Sequence, residues 1–170
     1  MILRPYSPGD AETIVSWIPD EKALRQWSAD RYPSFPVTAA DMNEKYLLRN
    51  GDCPAGQFYP LTAVEEESIA GHLILRFTDA ERTTARLGFV IVDSARRGQG
   101  LGKEMLRLAA GYAFDALGAK RLTLGVFENN PAAYRCYRAA GFREIPDLPP
   151  TGYAVMGETW KCVEMEMLRA

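Results

Sequence analysis

The sequence of 170 residues has few of the side chains from which metal sites and disulfide frameworks are built. It contains one histidine and three cysteines. Cys53, Cys136 and Cys162 are odd in number, far apart and without the spacing of a metal site. We therefore expect no metal site and three ordinary free thiols, as in a protein of the reducing cytoplasm.

Long apolar runs and an excess of one charge are also missing. No apolar run is long enough to span a membrane, and the first residues lack the apolar region of a signal peptide. The net charge of −2 argues against a general nucleic-acid binder. Length and composition instead favour a globular chain with one domain over residues 1–170, without a membrane or a nucleic acid as partner.

Apolar periodicity divides the chain into alternating strands and helices. The predicted strands cover residues 2–6, 59–64, 69–77, 87–92, 121–127, 142–145 and 160–168. The main predicted helices cover residues 21–27, 101–117 and 131–140. The strand–helix–strand order around 101–117 implies parallel neighbours joined by a right-handed crossover. Because hairpins precede that unit, the predicted fold class is α+β with a mixed sheet.

A glycine-rich stretch from Val92 to Gly102 connects a predicted strand to the long helix. The first N–H groups of a helix have no partner within it and carry the positive end of its dipole. Three glycines in the stretch remove side chains that would block an anion, while Arg96 and Arg97 add positive charge. The stretch predicts a cradle for phosphate or pyrophosphate. A flexible connection without a ligand is the alternative.

Two common phosphate-binding motifs do not match this stretch. A Walker A loop needs glycine at the position of Arg97 and serine or threonine at that of Glu104. A dinucleotide-binding fingerprint needs glycine or alanine where Lys103 or Met105 stands. The spacing therefore disfavours both kinds of nucleotide site.

The remaining pattern, Arg97-x-x-Gly100-x-Gly102, resembles the coenzyme A loop of the GNAT (GCN5-related) N-acetyltransferases. A second segment is similar to another signature of that family, with Asn130, Tyr137 and Gly141-Phe142 in the matching positions. The resemblance implies a GNAT-like acyl-CoA N-acyltransferase fold, with a central mixed, mostly antiparallel sheet flanked by helices. It also implies acetyl-CoA as the donor and a primary amine of a small molecule or peptide as the acceptor.

The resemblance implies roles for particular residues. Backbone of the strand before the loop would pair with the pantetheine arm, at Val90, Ile91 and Val92. Backbone N–H groups of the loop would hold the pyrophosphate, at Arg97, Gly98, Gln99, Gly100, Leu101 and Gly102. Asn130 would bond the amide arm of the cofactor or cap a helix. Tyr137 would protonate the leaving thiolate, and packing between helix and sheet is the alternative for this side chain.

The sequence departs from the family at the general base. Members often carry a glutamate at one of two strand positions, which here hold Arg86 and Gly125. Glu128 and His72 are the nearest substitutes. A solvated strand end explains Glu128 better, and a packed or surface histidine explains His72 better. The base therefore stays unassigned. A water chain, or an amine that arrives neutral, could replace it.

Aromatic residues near the N-terminus are candidates for binding the acceptor. Trp27, Tyr32 and Phe35 could form the wall of a pocket, and packing in the core beneath a loop is the alternative. The missing base also leaves open a domain that binds acyl-CoA as a sensor or scaffold without catalysis. A homodimer is compatible with this interpretation, and the sequence does not identify the acceptor.

Overall fold

Eight β-strands form one sheet in the order β1-β2-β3-β4-β5-β8-β6, with β7 also paired to β8. The computed structural model describes all 170 residues, apart from the side chain of Asn50. The strands are β1 (Ile2–Pro5), β2 (Phe58–Glu65), β3 (Ser68–Phe77), β4 (Thr84–Val92), β5 (Arg121–Phe127), β6 (Arg143–Glu144), β7 (Thr151–Val155) and β8 (Glu158–Leu168). The helices are α1 (Ala11–Ser16), α2 (Glu21–Ser28), α3 (Ala39–Leu47), α4 (Leu101–Gly111) and α5 (Pro131–Ala140).

The sheet is mixed, as predicted. The pairs β1–β2, β2–β3, β3–β4, β5–β8, β6–β8 and β7–β8 are antiparallel. Only β4 and β5 run parallel, because α4 provides the crossover between them. The predicted α+β class with a mostly antiparallel sheet is therefore confirmed.

Each face of the sheet carries its own apolar core. Leu73 and Leu75 of β3 pack on the face covered by α4 and α5, whereas Ile74 between them packs under α1, α2 and α3. This alternation follows from the period of two residues in a strand. The sheet therefore separates two apolar cores, and any opening through the sheet connects its two faces.

Local sequence explains the helix boundaries. The Thr38 hydroxyl accepts the N–H of Asp41 at 3.1 Å, and the Asp41 carboxylate accepts the N–H of Thr38 at 2.9 Å, so the pair starts α3. Gly141 ends α5 in the left-handed conformation, with φ of 112°.

The structure differs from the predicted elements most clearly at one helix and one strand. The helix expected over 101–117 is α-helical only to Gly111 and continues as a π-helical turn, Tyr112–Ala116. Strand β7 has no counterpart among the predicted strands. Its first four residues are exposed, so they lack the apolar alternation that would reveal a strand.

The central parallel pair opens partway along its length. Strands β4 and β5 pair only from Thr84 opposite Arg121 to Arg86 opposite Thr123. Strand β4 continues to Val92 and β5 to Phe127, so the ends of the two strands diverge. The divergence produces a cleft in the middle of the sheet.

Among the described residues, no helix combines the length and apolarity that a membrane span requires.

Candidate active site

A cavity of about 630 Å³ fills the divergence between β4 and β5. Its size lies in the range typical of small-molecule and cofactor sites. Helix α2 borders it on one side of the sheet, and α4 and α5 border it on the other. The lining includes Trp17, Ile18, Gln26, Trp27, Gly88, Phe89, Val90, Ile91, Val92, Arg97, Gly98, Gly100, Leu101, Gly102, Lys103, Gly125, Asn130, Arg135 and Tyr137.

Strand β4 forms the wall of the cavity that carries backbone groups without a strand partner. Beyond Arg86 its edge toward β5 has no strand partner, so N–H and C=O groups face the cavity. The pairing of β4 with β3 shifts register between Gly88, opposite Ile74, and Ile91, opposite His72. This shift marks a β-bulge in β4. Within it, Phe89 adopts φ of 48°, a left-handed conformation that is rare for a bulky residue. Such strain is concentrated at functional sites, because it redirects backbone groups.

The predicted anion cradle lies at the mouth of the cavity. Gly98 and Gly100 have φ of 80° and 82°, which favours glycine at both positions. Gly100 is the N-cap of α4 and has no side chain to satisfy the first N–H groups of the helix, so these remain available to an anion. Gln99 lies between the two glycines but is not part of the cavity lining.

Gly102 has a different reason for being glycine. A Cβ atom at this position would lie 2.8 Å from Sγ of Cys136 on α5. The missing side chain therefore permits close packing of α4 against α5, and it does not serve anion access alone. No pattern in the sequence predicts this contact, since the two residues are far apart along the chain.

Positive side chains surround the cradle. Arg96 pairs with Glu65, so its charge is partly neutralised. Arg97 also lines the cavity, and it forms no ion pair among the described side chains. Lys103 and Arg135 join it there, and neither was predicted from the sequence. Lys103 follows the glycine motif directly, but Arg135 comes from α5 and only the packing of the helices brings it here.

Tyr137 lies on α5 and is 8% exposed. It lines the cavity, and its hydroxyl has no hydrogen-bond partner among the described residues. Burial raises the pKa of this hydroxyl, with smaller upward contributions from Cys136 and Cys162. Its ring also meets Phe142 edge-on, with centroids 6.5 Å apart. Tyr137 is thus a packed side chain with a neutral hydroxyl that faces the cavity.

Asn130 both lines the cavity and caps α5. Its Oδ1 atom accepts the N–H of Ala133 at 3.3 Å, which leaves its amide N–H groups free for a ligand. The preceding residue, Asn129, accepts hydrogen bonds from Gln26 of α2 at its backbone O (3.1 Å) and at Oδ1 (3.2 Å). Gln26 therefore links α2 to the β5–α5 turn across the cavity.

The three aromatic candidates for the acceptor lie in different environments. Trp27 lines the cavity and contacts Phe89 of the bulge, with ring centroids 5.1 Å apart. Tyr32 stacks on the Trp27 ring but does not line the cavity. It is 2% exposed, so the structure places it in the core under α1–α3. Phe35 is 37% exposed and lies outside the cavity lining.

A salt bridge lies where the sequence left the base unassigned. Arg86 donates to Glu164 of β8 through both terminal nitrogens, at 2.7 and 3.0 Å. The pair covers Gly125, whose hypothetical Cβ would be 2.9 Å from Nη2 of Arg86 and 3.1 Å from Oε1 of Glu164. Burial lowers the pKa of Arg86, but the hydrogen bond and charge of Glu164 outweigh burial and raise it. A carboxylate of β8 therefore lies next to Gly125 of the cavity lining, although neither Arg86 nor Glu164 lines the cavity itself.

His72 is packed in the core, as the sequence favoured. It is fully buried, and its Nε2 atom lies 2.5 Å from the Tyr46 hydroxyl. Burial lowers its pKa to about 3, so the ring is neutral at physiological pH. It does not line the cavity.

Comparison with known proteins agrees with this geometry. The model of the acetyltransferase (GNAT) family matches residues 21–142, which include β4, the glycine-rich stretch, Asn130 and Tyr137. The chain belongs to the GNAT acetyltransferase family. It is therefore an acetyl-CoA-dependent N-acetyltransferase, as the resemblance implied. Among curated proteins, an N-acetyltransferase 9-like protein of Nematostella vectensis is 26% identical over 156 residues, covering 86% of this chain and 76% of that protein.

Other GNAT relatives are similar over shorter stretches or in fold. A spermine/spermidine N(1)-acetyltransferase of Bacillus subtilis is 37% identical over 65 residues, which span 38% of this chain and 43% of that protein. The structure of spermidine N-acetyltransferase from Vibrio cholerae with CoA and spermine has a TM-score of 0.76 at 18% identity, covering 98% of this chain and 94% of that one. An AAC(6')-Ib structure with an aminoglycoside and acetyl-CoA has a TM-score of 0.73 at 18% identity, covering 99% and 93%.

Proposed function

We propose that this acetyltransferase binds acetyl-CoA along the cleft between β4 and β5 and acetylates a primary amine that enters from the side of α2. One observation carries the proposal: a single cavity joins the free N-terminus of α4, the unpaired edge of β4 and the Tyr137 hydroxyl. The three features supply an anion site, a backbone surface for an amide arm and a proton donor.

The cradle from Arg97 to Gly102 binds the pyrophosphate through its backbone N–H groups. Gly98 and Gly100 keep these groups accessible, while Arg97, Lys103 and Arg135 add positive charge around them. The backbone of Val90, Ile91 and Val92 pairs with the pantetheine arm, since no strand occupies that edge of β4. Asn130 supports the arm with the amide N–H groups that its capping bond leaves free.

Two groups stabilise the charges that develop during transfer. A backbone N–H of the β4 bulge donates to the thioester oxygen as negative charge builds on it. Tyr137 donates the proton that the departing thiolate requires. Because burial raises the pKa of Tyr137, the hydroxyl is protonated before transfer and suits the role of an acid.

Glu164 positions the acceptor. Arg86 holds its carboxylate over Gly125, which is part of the cavity lining. Each carboxylate oxygen can accept more than one hydrogen bond, so both oxygens remain able to accept an N–H of the amine. Since Arg86 already neutralises the carboxylate, its role is orientation, and the proton of the amine leaves through water.

The acceptor class proposed is a primary amine on a small molecule or peptide. Acetyltransferases of spermine, spermidine and aminoglycosides among the relatives support this class. Trp27 contributes an apolar wall on the acceptor side of the cavity. The three cysteines are free, which supports action in the reducing cytoplasm.

Thermal unfolding with ligands tests the cosubstrate site directly. Acetyl-CoA at one hundred times its dissociation constant stabilises a folded protein by about 2.7 kcal/mol, whereas ATP should give no shift here. A thiol-release assay over amines, polyamines, amino acids and peptides then identifies the acceptor. The absence of a shift with millimolar acetyl-CoA would refute the proposed site.

A further inference from the structure

Two arginines face each other on the acceptor side of the sheet. Arg76 of β3 and Arg86 of β4 are directly paired in the antiparallel register. Residues opposite each other in this way project from the same face, so the two guanidinium groups lie on adjacent strands of one surface. Like charges in this arrangement repel, and a sheet tolerates them only with some compensation.

Only one of the two guanidinium groups has a carboxylate partner. Arg86 uses both terminal nitrogens on Glu164. Arg76 is half-buried, and it forms neither an ion pair nor a side-chain hydrogen bond among the described residues. It is therefore a partly desolvated cation next to another cation, without a fixed counter-charge.

The other charges near Arg76 do not supply one. Asp52, Arg31, Arg86 and the Cys53 thiol are the groups that influence it, and Asp52 already pairs with Arg31 at 3.2 Å. Burial lowers the pKa of Arg76, Asp52 raises it in part, and the two arginines lower it further. Including Glu164, this surface carries three guanidinium groups and two carboxylates, so it has an excess of positive charge.

The arginine pair lies beside the acceptor end of the cleft. Gly88, two residues from Arg86 on β4, lines the cavity and is paired with Ile74, two residues from Arg76 on β3. Ile74 packs under α1–α3, so Arg76 is on the side of the sheet opposite α4 and α5. Neither arginine lines the cavity itself, but Nη2 of Arg86 lies 2.9 Å from the position of a Cβ atom on Gly125, which does. An acceptor that extends past Gly88 and Gly125 on this side would therefore meet Arg86 and then Arg76.

We propose that the acceptor carries a carboxylate close to its amine and that Arg76 binds this carboxylate. The inference rests on the proposed function and narrows its acceptor class to amino acids and related amino-carboxylates. Glu164 faces the amine and Arg76 faces the carboxylate, with Arg86 between them. A guanidinium group recognises a carboxylate through two parallel N–H···O bonds, so binding both neutralises and orients Arg76.

The first experiment needs no known acceptor. With CoA saturating, so that the cradle is occupied, thermal unfolding is followed in sodium malonate and in sodium chloride at equal ionic strength. Malonate should raise the melting temperature of the wild-type protein above the chloride value. The excess should persist in Arg76→Lys and disappear in Arg76→Gln. Equal melting temperatures in the two salts, or an unchanged excess in Arg76→Gln, would overturn the inference.

The second experiment compares matched acceptors by thiol release. Each amino acid is assayed beside its amide, for example β-alanine beside β-alaninamide, so that only the carboxylate differs. The acid should have a KM at least about tenfold lower than the amide, and Arg76→Gln should remove this difference while kcat changes little. Equal KM values, or better turnover of amides and polyamines, would overturn the inference.

Failure of the proposed cosubstrate site can be distinguished from failure of the proposed role of Arg76. Loss of the acetyl-CoA thermal shift would refute the cosubstrate site, whereas an intact shift without any malonate effect would refute only the role of Arg76. If none of the paired acceptors is acetylated, the malonate comparison alone decides.

Discussion

Gly102 of α4 and Cys136 of α5 determine how closely the two helices beside the cleft approach each other. A Cβ atom at position 102 would lie 2.8 Å from the Cys136 sulfur, which is shorter than any ordinary contact. Gly102 also belongs to the cradle, and both residues line the cavity. The packing of the two helices and the shape of the proposed cosubstrate site are therefore coupled at this contact.

We expect Gly102→Ala to destabilise the protein, since it places a methyl group against Cys136. Overpacking of this kind costs about 1–3 kcal/mol. The free energy of unfolding in urea measures the loss. In the double variant with Cys136→Ala the sulfur is absent, so most of the loss should be recovered. A double variant that loses the sum of both single effects would contradict the coupling.

Gly100→Val should weaken CoA binding while the protein remains folded. The valine would occupy φ of 82°, which β-branched residues avoid, and its methyl groups would obstruct the N–H groups of the cradle. Loss of one charge-assisted hydrogen bond alone corresponds to about a tenfold rise in Kd. Calorimetry with CoA measures this. Gly111→Val is the matched control, because Gly111 lies at the other end of α4 with ordinary φ and an open Cβ position.

Tyr137→Phe should lower kcat by roughly 10²-fold and leave the Kd of CoA nearly unchanged, because only the hydroxyl is lost. Tyr134→Phe is the control, since its hydroxyl lies one turn earlier on α5 and donates to Glu144. Burial raises the pKa of Tyr137, and an acid acts while protonated. Loss of wild-type activity on the basic side should therefore begin above the ordinary tyrosine pKa of ~10, unless another group limits it. Wild-type turnover in Tyr137→Phe would assign the proton to water.

Glu164→Gln should raise the KM for the acceptor without changing the Kd of CoA, because the charge that orients the amine is lost. Leaving Arg86 without its partner also costs about 1–3 kcal/mol of stability, between the values of exposed and buried pairs. The control is Glu166→Gln. Glu166 lies two residues further on β8 and pairs with Arg121 and Arg143, whereas Glu164 pairs with Arg86 next to Gly125. Equal effects of both variants on KM would exclude a specific role for Glu164.

The stability of the protein should decrease as the pH falls below 6.5. His72 has a folded pKa of about 3 because of burial, so between pH 6.5 and 3 only the unfolded chain binds its proton. Each pH unit in that window costs up to about 1.4 kcal/mol, or about 2 kcal/mol at pH 5.

The chain has no other histidine, so His72 should dominate the pH dependence of urea unfolding between pH 7 and 5. His72→Gln should flatten the dependence on pH, whatever its effect on stability at pH 7. A slope that persists in His72→Gln would show that another group titrates. Asp10 interferes little at these three pH values. Burial raises its pKa, but hydrogen bonds from Arg4 and others outweigh burial and hold the folded pKa at about 2, so its contribution to stability is lost mainly between its ordinary pKa of 3.8 and pH 2.

Local patterns in the sequence predicted much of the fold. The boundaries of β3, β5 and α5 were predicted within one residue, because period-two alternation, Asn130 and Gly141 are signals within a few neighbouring residues. Strand β7 was missed because its residues are exposed, and it is a strand only through pairing with β8.

The candidate site residues also divide into those marked by a local motif and those placed only by the tertiary structure. The cradle glycines and Tyr137 stand in short motifs, so the sequence placed them at the cavity. Tyr32 was a candidate for the pocket wall, but aromatic character alone does not distinguish a core position from an exposed one. The segment around Glu164 predicts only an ordinary strand residue, so its position next to Gly125 could not be predicted from the sequence.

The sequence by itself determined most local elements, the glycine-rich turn at the start of α4 and the family to which the chain belongs. Each depends on residues within a few positions of one another, where backbone geometry and side-chain spacing follow directly from residue type. Tertiary structure alone decided which side chains meet in and around the cleft: Arg86 with Glu164 next to Gly125, Gly102 against Cys136, and Arg76 beside Arg86. These contacts join residues far apart in the chain, and they arise from strand register and helix packing, which no local pattern specifies.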